Sequence, residues 1–175
     1  RASAETLARL NLRGVPLVDE ETIALSKELT LRALNSPGHS GDHLSYFVES
    51  TRDLFTGDLV LGEGSTMIAA PDGSVRAYFQ SLAKLSALQP GRLIPGHGPV
   101  VDAASERLEE SRVHRLKRIE QVIMALQEGA DSVESIRQII YSDLPISHHV
   151  AANLTIRAYL EYLAEEGHKL PMLTT

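Results

Sequence analysis

The sequence has no cysteine, so it can form neither a disulfide framework nor a thiolate metal site. Any transition-metal site must be built from His, Asp and Glu. That absence suits reducing and oxidising compartments alike and does not fix a location. A run of about 18 consecutive apolar residues is also missing, which excludes a membrane-spanning helix within these residues. There is no excess of positive charge. A formal net charge of −6 excludes a surface given over wholly to nucleic-acid binding, while leaving room for a local basic patch. Internal repeats and low-complexity stretches are absent as well. The first residue is Arg1 rather than Met, so the expectation is a piece of a longer polypeptide, with any targeting segment upstream. The cytoplasm is the expected compartment, with the mitochondrion as the alternative in a eukaryote.

The 175 residues, 43% of them hydrophobic, are enough for one good-sized domain or a domain with a small appendage. Residues 1–28 carry no firm pattern beyond a break at Gly14-Val15-Pro16. Alternation over Leu29 to Leu34 predicts a strand running into the turn Ser36-Pro37-Gly38. A second strand is predicted over Leu44 to Val48 and a third over Leu54 to Thr56, joined by a hairpin connection at Ser50 to Asp53. Tyr78, Leu82, Leu85 and Leu88 fall on one helical face, and Pro90-Gly91 ends that helix. Arg92 to Ile94 is short enough for a buried strand. It empties into Pro95-Gly96-His97-Gly98-Pro99.

Beyond Pro99 the pattern turns helical. A first helix is predicted from an Asp102 N-cap to Gly129, with Leu108, Leu116, Ile119, Ile123 and Leu126 as its apolar stripe. A second is predicted from Asp131, with Glu134 at the N3 position of a capping box. A third follows Ser147, with apolar rows Val150/Leu154/Ala158 and Ile156/Leu160/Leu163, and stops at Gly167. Three helices and a terminal extended piece suggest a small winged-helix-like unit, giving two expected domains, 1–101 and 102–175.

Three segments carry chemistry: Pro37-Gly38-His39-Ser40, Thr56-Gly57-Asp58 and Pro95-Gly96-His97-Gly98. Each puts a metal-competent side chain on a glycine-containing turn after a strand, where α/β sheets place their ligand sites. Singly such turns are ordinary. In this order, with a helix between the last two, they resemble the third, fourth and fifth ligand motifs of the metallo-β-lactamase superfamily. The likeness is closest to the β-lactamase-like endoribonuclease group with a C-terminal winged-helix extension, and it covers most of the chain. It runs through residues 37–43, 56–64 and 94–100 and into the tail from Ala152-Asn153-Leu154 to Glu166-Gly167.

The resemblance implies an α/β fold, the C-terminal part of an αβ/βα sandwich, followed by the helical unit. It implies two zinc ions in a complete site, with His39 on the first, Asp58 bridging both as the catalytic carboxylate ligand, and His97 on the second. The family's first ligand cluster, His-x-His-x-Asp-His, does not occur in residues 1–175. His43 is therefore read as structural support for the third motif's loop. The expected activity is hydrolysis, of single-stranded RNA or of a small-molecule ester, thioester or lactam. A degenerate scaffold that binds nucleic acid or a protein partner, and a metal-free structural protein, are the alternatives. Residues 102–175 hold eight Lys and Arg against twelve Asp and Glu, a net of −4, the wrong sign for a DNA-binding domain. The basic stretch Arg112, His114, Arg115, Lys117 and Arg118 is read as a solvated face. No membrane partner is expected, and a homodimer is the expected assembly if the chain associates.

Overall fold

The computed structural model describes residues 16–173. Its five strands are β1 (Thr22–Ala24), β2 (Thr30–Asn35), β3 (Leu44–Val48), β4 (Asp53–Gly57) and β5 (Arg92–Pro95). They form one sheet in sequence order. The β1–β2, β2–β3 and β3–β4 pairs are antiparallel, while β4 and β5 are parallel, with Leu54 opposite Leu93. Parallel neighbours cannot be joined by a hairpin and need a crossover. Residues 58–91 supply it, including helix α1 (Val75–Ala87).

Strand direction decides where the site lies. Two antiparallel steps make β2 run the same way as β4, and β5 runs parallel to β4. The C-terminal ends of β2, β4 and β5 therefore share one edge of the sheet, and the turns bearing His39, Asp58 and His97 leave from those ends.

Strand β1 answers to no pattern in the sequence; it is three residues long and exposed at both ends, and pairing with β2 holds it. The break expected at Gly14 and Val15 lies outside the described residues. In β4 the period of two runs through Leu54 and Thr56, buried, and Phe55, exposed, while Asp53 departs from it and is buried beside Arg92. Helix α1 buries Val75, Tyr78, Ser81, Leu82 and Leu85 on one face. Its Ser74 N-cap hydroxyl accepts from the Ala77 N–H at 3.3 Å.

Helices α2 (Ala104–Gln127), α3 (Val133–Ile140) and α4 (His149–Glu165) complete the chain, with one 3₁₀ turn (Ile146–His148) before α4. Three local expectations are corrected. Asp102 does not cap α2. Val101 is still bridged to Leu93 through a backbone pair of 2.8 and 3.0 Å, which keeps the chain extended, and the helix starts at Ala104 without a side-chain cap. The capping box of α3 is Ser132 with Ser135, not Asp131 with Glu134, since the Ser132 hydroxyl takes the Ser135 N–H and Ser135 reaches back to the Ser132 N–H. Val150 does not join a buried row of α4 and is exposed, whereas Ile156, Ala158, Tyr159, Leu160 and Leu163 are buried.

The stripe of α2 is also displaced. Leu108 and Ile119 are buried as expected, but Ala104, Arg115, Val122 and Ala125 are the other buried positions, and Leu116, Ile123 and Leu126 only border the core. One continuous apolar core joins Leu34, Phe47, Leu54 and Leu93 of the sheet to Tyr78 and Leu82 of α1 and to Ile136, Ile156 and Leu163 of the later helices. Among the described residues no strand lies beyond the Val101 bridge, and no helix is long and apolar enough to cross a membrane.

Candidate metal centre

His39 owes its position to the packing of its own loop on α1. Gly38 has φ 151, and a Cβ there would meet the Tyr78 Cα at 2.6 Å, so only glycine lets the loop lie this close to the helix. The Ser81 hydroxyl donates to the Pro37 carbonyl at 2.7 Å, and the Ser74 N–H donates to the Gly38 carbonyl at 2.9 Å. These contacts fix the turn at both sides of its glycine.

The tautomer of His39 follows from its partners. Nδ1 lies 2.8 Å from the Met67 carbonyl and 3.3 Å from the Thr66 hydroxyl. A carbonyl can only accept, so Nδ1 carries a proton, and in the neutral ring Nε2 is the nitrogen with the lone pair. That is the arrangement in which a metal-binding imidazole is oriented by its other nitrogen. Thr66 also donates its hydroxyl to the Asp58 carbonyl, so one side chain supports the turns of two candidate ligands.

Asp58 and His97 are brought together by the parallel pair. Beyond β4 and β5 the Gly96 N–H donates to the Gly57 carbonyl at 2.8 Å, and the Gly62 N–H donates to the His97 carbonyl at 2.9 Å. The Asp58 Oδ1 then lies 3.4 Å from the His97 Nε2, with the His97 side chain 76% exposed and the Asp58 side chain 39% exposed. The donor set here is two imidazoles and a carboxylate, all suited to a borderline metal such as zinc. It fits that group in kind. Among the described residues, though, no three His, Asp or Glu side chains converge into a closed metal-binding group.

His43 stands between the two turns and is fully engaged. Its Nε2 accepts the Asp58 N–H at 3.1 Å, so Nδ1 bears the proton and donates to the Ser36 hydroxyl at 2.9 Å. Ser36 in turn lies 2.8 Å from the buried Ser45 hydroxyl. With both nitrogens used, His43 has none left for a metal. Burial, and after it the neighbouring His39, hold its pKa below the ordinary histidine value, in keeping with a neutral ring. The ring is T-shaped against His39, with centroids 6.4 Å apart.

The strands beneath are pinned by Asp53 and Arg92, paired across β4 and β5. Arg92 donates from Nε and Nη2 to the two carboxylate oxygens, at 2.5 and 3.0 Å. Thr66 and Met67 have no motif that marks them in advance. Their roles come from a loop that returns to the sheet edge through tertiary contacts alone.

Residues 7–97 match the family described as "Metallo-beta-lactamase superfamily". Among curated proteins, a beta-lactamase-like protein 2 homolog of Caenorhabditis elegans is 34% identical over 139 residues, 79% of this chain and 46% of that protein. An atrochrysone carboxyl ACP thioesterase of Aspergillus fumigatus is 36% identical over 98 residues, 56% of this chain and 30% of that protein. Among solved structures, a metallo-beta-lactamase family protein of Thermus thermophilus superposes with a TM-score of 0.77 at 26% identity, covering 89% of this chain and 50% of its own. The chain thus spans half or less of the length of these relatives.

Proposed function

The chain belongs to the metallo-β-lactamase superfamily, and from that premise we propose that it contributes His39, Asp58 and His97 as the later ligands of a metal-dependent hydrolytic centre. The metal in this proposal is zinc, two ions in a complete site, with Asp58 between them. The observation that supports it is the approach of the Asp58 Oδ1 to the His97 Nε2 at 3.4 Å, at the one sheet edge where His39 also emerges with its Nε2 lone pair free. A bound zinc ion would supply a Lewis acid that polarises the scissile carbonyl or phosphoryl oxygen and would make water acidic enough to attack near neutral pH.

The chain's own residues do the positioning. Met67 and Thr66 set the His39 ring, and His43 holds the Asp58 backbone N–H. The backbone pairs between residues 57–62 and 96–97 keep Asp58 and His97 in register. Single-stranded RNA is the substrate we favour, on the likeness of the three ligand segments to the endoribonuclease group. A thioester is the second reading, favoured by the similarity to a protein named as an ACP thioesterase. The helices beyond residue 102 are proposed as a second, substrate-shaping unit. In support, Arg107 of α2 donates to the Leu61 and Gly64 carbonyls beside the Asp58 turn.

The test is an assay of the full-length gene product on a single-stranded RNA oligonucleotide and on a glutathione thioester, with and without chelator. Chelator-sensitive cleavage of one of them, restored by zinc, is the expected result. Turnover that survives complete metal removal, or none on either substrate with zinc present, would overturn the proposal.

A further inference from the structure

A cavity of ≈330 Å³ lies where the 65–67 turn, helix α2, the α3–α4 connection and helix α4 meet. Its polar lining includes two arginines, Arg115 and Arg118, and the imidazole of His114 from α2, the imidazole of His148 from the 3₁₀ turn, and the hydroxyls of Thr155 and Tyr159 from α4. No carboxylate lines it among the described residues. This is a positive pocket in a part of the chain whose net charge is −4.

Arg115 is only 2% exposed, and no carboxylate pairs with it among the described residues. Its guanidinium lies between the rings of Tyr78 and Tyr159, at 5.3 and 5.6 Å from their centroids. It donates to the Tyr159 hydroxyl and, at 2.7 Å, to the Thr66 carbonyl, while its buried Nε has no partner among the described residues. The ring faces offset part of the cost of burying the cation, but an unpaired donor remains. The His114 Nδ1 is likewise buried without a partner among the described residues. Arg118 lies over the Tyr141 ring at 4.8 Å and spends one donor on the Gln121 amide, at 2.9 Å. Burial and the neighbouring arginines, Arg115 first among them, hold the His114 pKa below its ordinary value, as expected where positive charge is in excess.

We infer that this cavity binds a phosphate group carried by a small molecule. Arg115 and Arg118 of α2 and His148 of the 3₁₀ turn line it from two separate elements, an arrangement suited to the several oxygens of a tetrahedral oxyanion rather than the two of a planar carboxylate. Its volume is at the small end for ligand sites and holds one phosphoryl group with a short substituent, not a length of polymer. The site does not depend on the hydrolytic reading. It touches the metal-ligand turns through Thr66, whose carbonyl takes Arg115 and whose hydroxyl donates to the Asp58 carbonyl, and through Met67, whose carbonyl takes the His39 Nδ1.

The test is isothermal titration of the 175-residue chain with inorganic phosphate, in chelator and at low ionic strength, with acetate in parallel. One saturable phosphate site is expected, with acetate at least about tenfold weaker. Arg118→Gln and His148→Gln, both at the cavity mouth, should each weaken phosphate at least about tenfold, the loss expected for one charge-assisted contact. Arg112→Gln, on the same helix but paired with Glu109, should leave it unchanged. Circular dichroism of each variant separates lost binding from lost folding, and Arg115 is spared because its burial makes it part of the core. Absence of saturable binding, acetate binding as tightly as phosphate, folded Arg118→Gln binding like the parent, or an equal loss in Arg112→Gln would each overturn the inference.

Discussion

Replacing Gly57 by alanine should destabilise the protein far more than a methyl group at a sheet edge would suggest. Gly57 has φ 51, and a residue with a Cβ in this left-handed region costs about 1–2 kcal/mol. The new Cβ would also lie 2.7 Å from the His43 Nε2 and 3.2 Å from its Cε1. The ring has little freedom to move, because Nδ1 is bonded to Ser36 and Nε2 holds the Asp58 N–H. Displacing it strands that N–H, at a further cost of about 1–3 kcal/mol. The sum is about 2–5 kcal/mol, which for a chain of this size lowers Tm by roughly 5–15 °C. Gly64 is the control, with φ 68 and nothing within 4 Å of an added Cβ, so Gly64→Ala should cost only the backbone strain. Thermal and urea denaturation followed by circular dichroism measure both. In a His43→Ala background the cost of Gly57→Ala should fall to that of Gly64→Ala, a coupling of about 1–3 kcal/mol. Equal losses for Gly57→Ala and Gly64→Ala in the parent would refute the reasoning.

Asp53→Asn should cost about 1–2 kcal/mol at neutral pH, a range kept low because the Arg92 side chain is half exposed. Arg92, and then the Thr51 hydroxyl, hold the Asp53 carboxyl below the ordinary aspartate range. Its stabilisation is therefore complete above about pH 4 and is lost as pH falls through the lowered folded value; the variant's Tm should lack that part of the acid decline seen in the parent. In zinc titrations Asp58→Asn should weaken both ions of the complete site, whereas His97→Asn or His39→Asn should weaken chiefly one, and equal effects from all three would count against a bridging Asp58. On the proposed assignment of two of these ligands per ion, the 175-residue chain alone should bind zinc weakly and turn over little, since catalytic zinc usually has three protein ligands; tight stoichiometric zinc would contradict this. Thr66→Val keeps the side chain's shape but removes the hydroxyl shared by His39 and Asp58, and should lower zinc affinity about tenfold by calorimetry.

Much of the sheet was legible because its signals are local. Leu44 to Val48 forms a strand as read, and the helix over Tyr78, Leu82 and Leu85 appears as Val75–Ala87. Strand β1 was not legible, since three residues held by pairing alone leave no periodic trace. The start of α2 was misplaced for a related reason. Asp102 has the chemistry of a cap, but the bridge from Val101 to Leu93 overrides it, and that bridge is set by β5, not by the residues around Asp102.

The candidate site divides in the same way. The turns bearing His39, Asp58 and His97 could be read because glycine and a strand end mark each of them locally. Their convergence at one edge needs strand direction, which follows only once β2, β4 and β5 are placed in one sheet. Thr66 and Met67 lie outside any strand or helix, and only tertiary contact brings them under His39. Arg115 shows most clearly what periodicity leaves out. In a stretch with Arg112, Lys117 and Arg118 a charged helix face normally faces water, and Arg115 is nevertheless buried between two tyrosine rings. Its partners, Tyr78 and Tyr159, lie 37 residues before it and 44 after it in the chain, so no window along the sequence brings the three together. A cation withdrawn from solvent with no carboxylate beside it among the described residues therefore supports the proposed phosphate site more than the basic stretch from which it comes.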